Sequence, residues 1–344
     1  MRAALITGRH RLELVEFPEP TPAAGGVVVA IDRCGICGTD VHAYGSDGPY
    51  PPAICGHEWT GRLAAVGAEV GATWSEGDRV VIASPPACGA CDACHAGQAR
   101  WCVAAFLVAI GRDPGAPPHG GFASQLAVDA SRVLRVDPRL SIEQAAQVEP
   151  ASVSFHAVRH TPPGLGDVAV VQGAGPVGLT TLQWVRAAGA GAVVVVEPNE
   201  VRRALAAELG ATHAVVPADA KPTVNELTRG LGADVVYECV GRPDAVQAAV
   251  DLARRGGAMC LIGVADGQAS ISPASWLVKE IEVRAALAFT HDDVERAMGM
   301  IADGRIALDP LHTSTVGLDE LDAAFADLAG GSTGEVKVLV DPNR

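Results

Sequence analysis

The sequence predicts an α/β chain of two domains, one an antiparallel barrel-like β region, the other a parallel sheet with helices on both faces. Three observations carry this reading. The chain has 344 residues, more than one ordinary hydrophobic core organises. Residues 1–151 hold short apolar runs separated by Gly and Pro, the pattern of strands joined by turns. Residues 152–288 instead alternate continuous valine-rich runs with helical segments, the pattern of a parallel sheet buried on both faces.

In the first zone, residues 27–31, 63–66, 79–83 and 125–128 read as strands. In the second, strands are expected at 168–172, 193–197, 213–216, 234–240, 259–264 and 281–286, with helices at 177–188, 200–209 and 245–253. Six such strands complete a dinucleotide-binding fold. From residue 289 two amphipathic helices are expected, at 291–303 and 318–329, and then a strand at 336–340. A lone strand makes no domain, so this tail is expected to return to the first zone and close its barrel. The domains are therefore 1–151 with 289–344, and 152–288. No internal repeat is found.

Composition excludes several classes of function. The net charge is −14, with the acidic residues dispersed, whereas a nucleic-acid partner needs a clustered basic face. No apolar stretch reaches the roughly 18 to 20 residues of a membrane span. Residues 1–8 read as a short strand, not a signal peptide. A cytoplasmic protein with no membrane or nucleic-acid partner is expected. Seven of the nine cysteines lie between Cys34 and Cys102, and such clustering without a secretion signal points to metal before disulfides.

The segment Gly173-Ala174-Gly175-Pro176-Val177-Gly178 follows the strand at 168–172 and opens a helix. That context turns a weak glycine string into a dinucleotide signature. The first glycine permits the turn, the second lets backbone approach a pyrophosphate, and the third lets helix pack on strand. Glu197 ends the next strand, 19 residues after Gly178, where it would bond the adenosine ribose and repel a 2′-phosphate, favouring NAD over NADP. Arg202 and Arg203 are close enough in sequence to reach the same pocket, either stacking on adenine or lying solvated on a helix.

Cys88-x2-Cys91-x2-Cys94-x7-Cys102 can fold four thiolates around one tetrahedral ion. With every position taken by sulfur, such a zinc site is closed and structural.

A second metal-ligating set is more scattered. Cys34-Gly35-Ile36-Cys37-Gly38-Thr39-Asp40-Val41-His42 and Gly56-His57-Glu58 supply a thiolate, an imidazole and a carboxylate. Together with the four-cysteine lobe and the glycine turn, in this order along the chain, these motifs resemble the zinc-containing medium-chain alcohol dehydrogenases. Within them the chain looks like the polyol, butanediol and threonine dehydrogenase branch, whose Glu-Pro segment is matched by Val148-Glu149-Pro150.

The resemblance spans essentially the whole chain. It implies a GroES-like β-barrel catalytic domain, a Rossmann cofactor domain, NAD(P), two zinc ions per chain and a homodimer or homotetramer. Cys37 and His57 would ligate the catalytic zinc, and Glu58 and Glu149 would complete or adjust its shell. Spacing leaves open which of the two carboxylates bonds the metal at rest. Asp40 would accept the other ring proton of His57. The reaction implied is hydride transfer between a secondary alcohol (a polyol, vicinal diol, sugar or cyclitol) and NAD(P), giving a ketone. The metal acidifies the hydroxyl, Thr39 receives its proton and passes it through the cofactor ribose to His42, and His42 delivers it to solvent. The alternatives are an amino-alcohol oxidation of the L-threonine 3-dehydrogenase type and a nucleotide-binding protein without turnover. Retention of Cys37, His57 and Thr39 argues against the second.

The remaining residues receive plainer readings. Cys34, Cys55, Cys239 and Cys260 are expected to be core residues, and Arg159 and His160 helix surface. His119-Gly120-Gly121-Phe122 reads as a structural turn, and His156 as packed at the domain junction. Ser84, ahead of Pro85 and Pro86, is small where ethanol-oxidising relatives carry an aromatic residue, which leaves room for a hydroxylated substrate. Lys337 is expected to point to solvent, the alternative being an approach to the cofactor phosphates. The segment 105–118 carries no interpretable motif.

Overall fold

A computed structural model of the protein describes residues 1–48, 50, 54–84, 87–102, 104, 105, 107, 120–265, 267–331 and 334–344. The chain opens with a hairpin of β1 (Arg2–Gly8) and β2 (Arg11–Glu16). Next comes β3 (Gly26–Gly35), whose centre carries Val27, Val28, Val29 and Ile31, all buried. Branched side chains favour an extended strand packed on both faces, and each such valine stabilises by roughly 1.5–3 kcal/mol at most.

Strands β4 (Glu58–Val66), β5 (Arg79–Ile82), β6 (Gln125–Asp129) and β7 (Val133–Arg135) follow. β3 pairs antiparallel with β4 along one edge, in a register that sets Gly35 opposite Glu58. Its other edge takes β6 at residues 26–30. β5 joins β4, and β7 joins β5.

The second sheet is entirely parallel. It consists of β8 (Val168–Gln172), β9 (Ala192–Val196), β10 (His213–Val215), β11 (Ala233–Glu238), β12 (Ala253–Leu261) and β13 (Glu282–Ala285). Their spatial order is β10-β9-β8-β11-β12-β13, which is the doubly wound order 3-2-1-4-5-6. Val170, Val194, Val236 and Met259 form one core cluster with Val224, Ala249 and Val250 of the covering helices.

Two of those helices, Pro217–Thr228 and Pro273–Lys279, were not expected from the sequence. Each begins with a proline whose fixed φ suits a first turn, but Pro222 interrupts the pattern of the first. Helix Pro243–Leu252 ends at Ala253, which is extended (φ −73°, ψ 146°) and starts β12 well before the expected residue 259.

The tail holds helices His291–Ala302 and Leu321–Gly330 and two strands, β14 (His312–Gly317) and β15 (Lys337–Asp341). β15 pairs antiparallel with β3 at Cys34 and Gly35, so the chain's end does return to its beginning. β14, absent from the sequence reading, lies parallel to β15. Its run His-Thr-Ser-Thr lacks the apolar alternation that marks a strand.

The chain divides into two compact units, Met1–Glu149 with Phe289–Ala302 and His312–Arg344, and Pro150–Ala288 with Asp303–Leu311. Residues 303–311, placed with the tail by the sequence reading, group with the second unit; there the Gln183 amide exchanges hydrogen bonds with both backbone groups of Ala307. Among the described residues no helix is long and apolar enough to cross a membrane.

Candidate active site

Helix Gly38–Gly45 starts where β3 ends, and Cys37 is its N-cap. The Cys37 sulfur accepts the Thr39 N–H at 3.5 Å, while Asp40 Oδ2 accepts the Cys37 N–H at 3.0 Å. This reciprocal cap satisfies two backbone donors that a helix start otherwise leaves open. It also holds the thiol in one place.

The β3–β4 register delivers the other groups. His57 precedes β4 and Glu58 is its first residue, opposite Gly35. One ligand atom each from Cys37, His57 and Glu58 lies within 4.8 Å of the others. A Cβ at position 35 would overlap Glu58 Oε2, so any side chain there would displace that carboxylate.

Glu149, in the first turn of helix Val148–His160, does not join that group at the same distance, although it is only 7% exposed. Burial pushes its carboxyl up to about 8; Glu58 and Asp40 add to the shift, and His57 and Lys337 oppose it. Thr39 is half-buried with Oγ1 3.5 Å from the Cys37 sulfur. His42 lies exposed in the last turn of the same helix.

Whether this pocket suits a metal is tested by its unsatisfied atoms. Asp40 Oδ1 and His57 Nδ1 are buried, 3.6 Å apart and without hydrogen-bond partners. An orphaned buried polar atom costs about 1–3 kcal/mol. A His that ligates a cation through one ring nitrogen needs a carboxylate on the other, and these two atoms are arranged as that pair. Burial opposes a charge on His57, but the Asp40 carboxylate and the Cys37 thiolate outweigh it and hold its pKa well above the ordinary imidazole value. A thiolate, an imidazole and a carboxylate that already attract a positive charge fit a zinc ion.

Lys337 corrects the sequence reading. It does not point to solvent; it is 1% exposed and ion-paired with Glu58. A usable signal was present, a single charge inside the apolar run 336–340, since a buried lysine is almost always paired.

The second cluster is the four-cysteine lobe. The sulfurs of Cys88, Cys91, Cys94 and Cys102 lie within 4.8 Å of one another, and none is in a disulfide. Helix Asp92–His95 carries Cys94. Backbone N–H groups of Cys88 and Ala90 point at sulfurs, at 3.2 and 3.5 Å. Four converging sulfurs suit a closed tetrahedral ion.

In the nucleotide unit the three glycines do different things. Gly173 has φ +90°, which a side chain would strain. A Cβ on Gly178 would overlap the Gly173 carbonyl oxygen. Gly175 caps helix Pro176–Ala187, and a Cβ there would meet nothing within 4 Å. That open space at a helix N-terminus, with Pro176 and Val177 just inside, could accommodate a pyrophosphate.

The Glu197 carboxylate accepts the Ala174 N–H at 2.8 Å and the Asn199 N–H at 2.9 Å. It thus braces the glycine turn, a duty the sequence reading did not assign, and each oxygen keeps a further lone pair. The Arg203 guanidinium donates to the carbonyls of Glu197 and Pro198. Half-buried Arg202 donates its backbone N–H to the Asn199 side chain.

Cys34, Cys55 and Cys260 are buried, and Cys239 is half-buried just after β11. His156 is half-buried and stacks on exposed His160, while Arg159 covers Phe155. Gly120, Gly121 and Phe122 are buried. Pro85, Pro86, His119 and residues 108–118 lie outside the described residues.

Comparison with known proteins agrees with this arrangement. Residues 176–303 match the family model of zinc-binding dehydrogenases, and residues 23–138 match the alcohol dehydrogenase GroES-like domain. Sorbitol dehydrogenase of Bacillus subtilis is 30% identical over 352 residues, covering 100% of this chain and 98% of that protein. L-threonine 3-dehydrogenase of Streptomyces coelicolor is 32% identical over 337 residues, 96% of each chain. The crystal structure of 2R,3R-butanediol dehydrogenase from Bacillus subtilis matches with a TM-score of 0.87 at 30% identity, covering 99% of both chains. The chain therefore belongs to the zinc-containing medium-chain alcohol dehydrogenases and is an oxidoreductase of that family.

Proposed function

We propose that the protein oxidises a secondary alcohol of the polyol, vicinal diol, sugar or cyclitol class to a ketone, with NAD as hydride acceptor. The observation that carries this reading is the convergence of Cys37, His57 and Glu58 within 4.8 Å, beside the hydroxyl of Thr39. A non-catalytic nucleotide binder has no use for that set.

Cys37 and His57 would hold the catalytic zinc, with Glu58 and Glu149 as the carboxylates that complete or adjust its shell. When bound, zinc supplies Lewis acidity toward the substrate hydroxyl, and NAD supplies the hydride acceptor. The chain's own residues do the rest. Asp40 holds the His57 ring. Thr39 Oγ1 accepts the alcohol proton, and His42 at the exposed helix end returns it to water. Cys88, Cys91, Cys94 and Cys102 would hold a structural zinc.

Residues 1–151 with 289–344 form the catalytic domain in this reading, and 152–288 the cofactor domain. Gly173, Gly175, Pro176, Val177 and Gly178 cradle the pyrophosphate. Glu197 takes the adenosine ribose, with Arg202 beside it, which selects NAD over NADP. The small, half-buried Ser84 leaves room for a hydroxylated substrate. Similarity to a threonine dehydrogenase supports the second reading, oxidation of an amino alcohol. β13 is an outer strand with Val283 41% exposed; pairing such an edge with a second copy would cover it and give a dimer or tetramer. Cysteines clustered for metal rather than for disulfides support a cytoplasmic location.

The test is a panel of diols, polyols, cyclitols, sugars and threonine, followed by NADH formation with NADP run in parallel. Turnover of at least one secondary alcohol, preferring NAD, is expected. Activity confined to long primary alcohols, or a preference for NADP, would contradict the reading. Replacing Glu197 by Gln is expected to weaken NAD binding about tenfold, the loss of ~1.4 kcal/mol, and to narrow the gap to NADP.

A further inference from the structure

Lys337 is the first residue of β15, and its ammonium is taken wholly out of water. Such burial costs several kcal/mol unless partners compensate. Its Nζ has two. One hydrogen bond runs 2.5 Å to Glu58 Oε2, the other 2.9 Å to the carbonyl oxygen of Ile36. Ile36 directly precedes Cys37, so one cation from the chain's end ties together the two segments that bring the ligand set.

The charges around the pocket show what this cation is for. With Cys37 as the thiolate, Cys37, Glu58 and Asp40 bring three negative charges, more than a divalent ion balances. Glu58 stands apart from the other two because its Oε2 is paired with a buried ammonium. The space that oxygen occupies is kept open by the missing side chain of Gly35. A carboxylate anchored in this way is a weakened, releasable ligand.

We propose that Lys337 is a positioning residue that sets how firmly Glu58 holds the catalytic metal: by retaining Oε2 it keeps Glu58 releasable, so that a coordination position stays available to substrate. The inference rests on the reading of Cys37 and His57 as metal ligands. Without the ammonium, the Glu58 carboxylate would be free to bond the metal more firmly, and slower metal release with lower turnover is expected.

The test compares the intact protein with Lys337→Met, Lys337→Gln and Lys337→Arg. The readouts are zinc release to a chromophoric chelator, the visible spectrum after cobalt(II) substitution, and kcat with KM. The four-cysteine lobe contributes equally to every variant. Removing the charge is expected to slow metal release about tenfold and lower kcat about 10- to 100-fold, the range for residues that orient metal ligands, with KM little changed. The cobalt spectrum is expected to shift toward higher coordination. Arg is expected to restore the parent spectrum. Gln, which can still bond the Ile36 carbonyl, keeps the test open if Met does not fold.

Faster metal release in the neutral variants, or an unaltered cobalt spectrum, would overturn the proposal and leave a structural role. If the parent protein bound metal only in the lobe, the reading of the pocket itself would fail, and the proposal with it.

Discussion

The two cysteine-bearing clusters hold their ligands in opposite ways. In the lobe all four groups are sulfur, they come from one short stretch, and backbone N–H groups point at them. In the pocket the ligands are of three chemical types and come from two strand ends. They are flanked by buried carboxylates, a buried lysine and two polar atoms without partners. The lobe is locally complete. The pocket is not, and in the proposed function that leaves room for a substrate. A structural site fills all four positions with protein ligands, whereas a catalytic one keeps a position open.

Substitutions at three positions can break or sharpen that contrast. The largest effect on turnover is expected for Cys37→Ser. It should lower kcat/KM about a thousandfold, the ~4 kcal/mol expected of lost metal polarisation, and leave about one zinc per chain, in the lobe. Retention of both ions with normal activity would show that Cys37 is not a ligand. Thr39→Ala comes next, with kcat down about a hundredfold, the usual scale for a positioned proton acceptor. Thr39→Ser should recover most of it, because the hydroxyl and not the methyl is required. Equal losses in both variants would remove Thr39 from the proton path.

The smallest effect on turnover is expected for Cys94→Ser. The lobe's zinc should be lost together with ~3 kcal/mol of stability, about 6–12 °C in melting temperature, while kcat of the folded protein stays within a few-fold. A thousandfold loss of kcat in a folded Cys94→Ser protein would erase the distinction between the clusters.

What the sequence made legible follows the same division. The lobe and the glycine turn are each written in one short stretch, so spacing marked the first, and spacing with the flanking strand and helix marked the second. The parallel strands were visible because Val-rich runs bounded by Gly and Pro carry their own signal; β8 coincides with its expected range. The pocket was harder. Cys37 and Glu58 meet only because β3 pairs with β4 in one register, and the resemblance to a family, not local pattern, pointed to them.

The isolated charge of Lys337 in an apolar run hinted at burial, but its partners could not be named from the sequence. Its two partners lie 279 and 301 residues away, and pairing of β15 with β3 is what brings them together. An isolated charge in a strand reads as solvent-facing when sheet neighbours are unknown. β14 escaped notice for the converse reason, being polar yet paired along an apolar strand. The Glu197 carboxylate was expected to wait for a ribose, and its hydrogen bonds to the turn depend on how β9 and the glycine loop meet.

The most direct measurement is an anomalous X-ray difference map at the zinc edge, from crystals of a preparation whose activity has been assayed. Two peaks per chain are expected, one among Cys88, Cys91, Cys94 and Cys102 and the other against Cys37 and His57. A fully active preparation with a peak in the lobe alone would contradict the account.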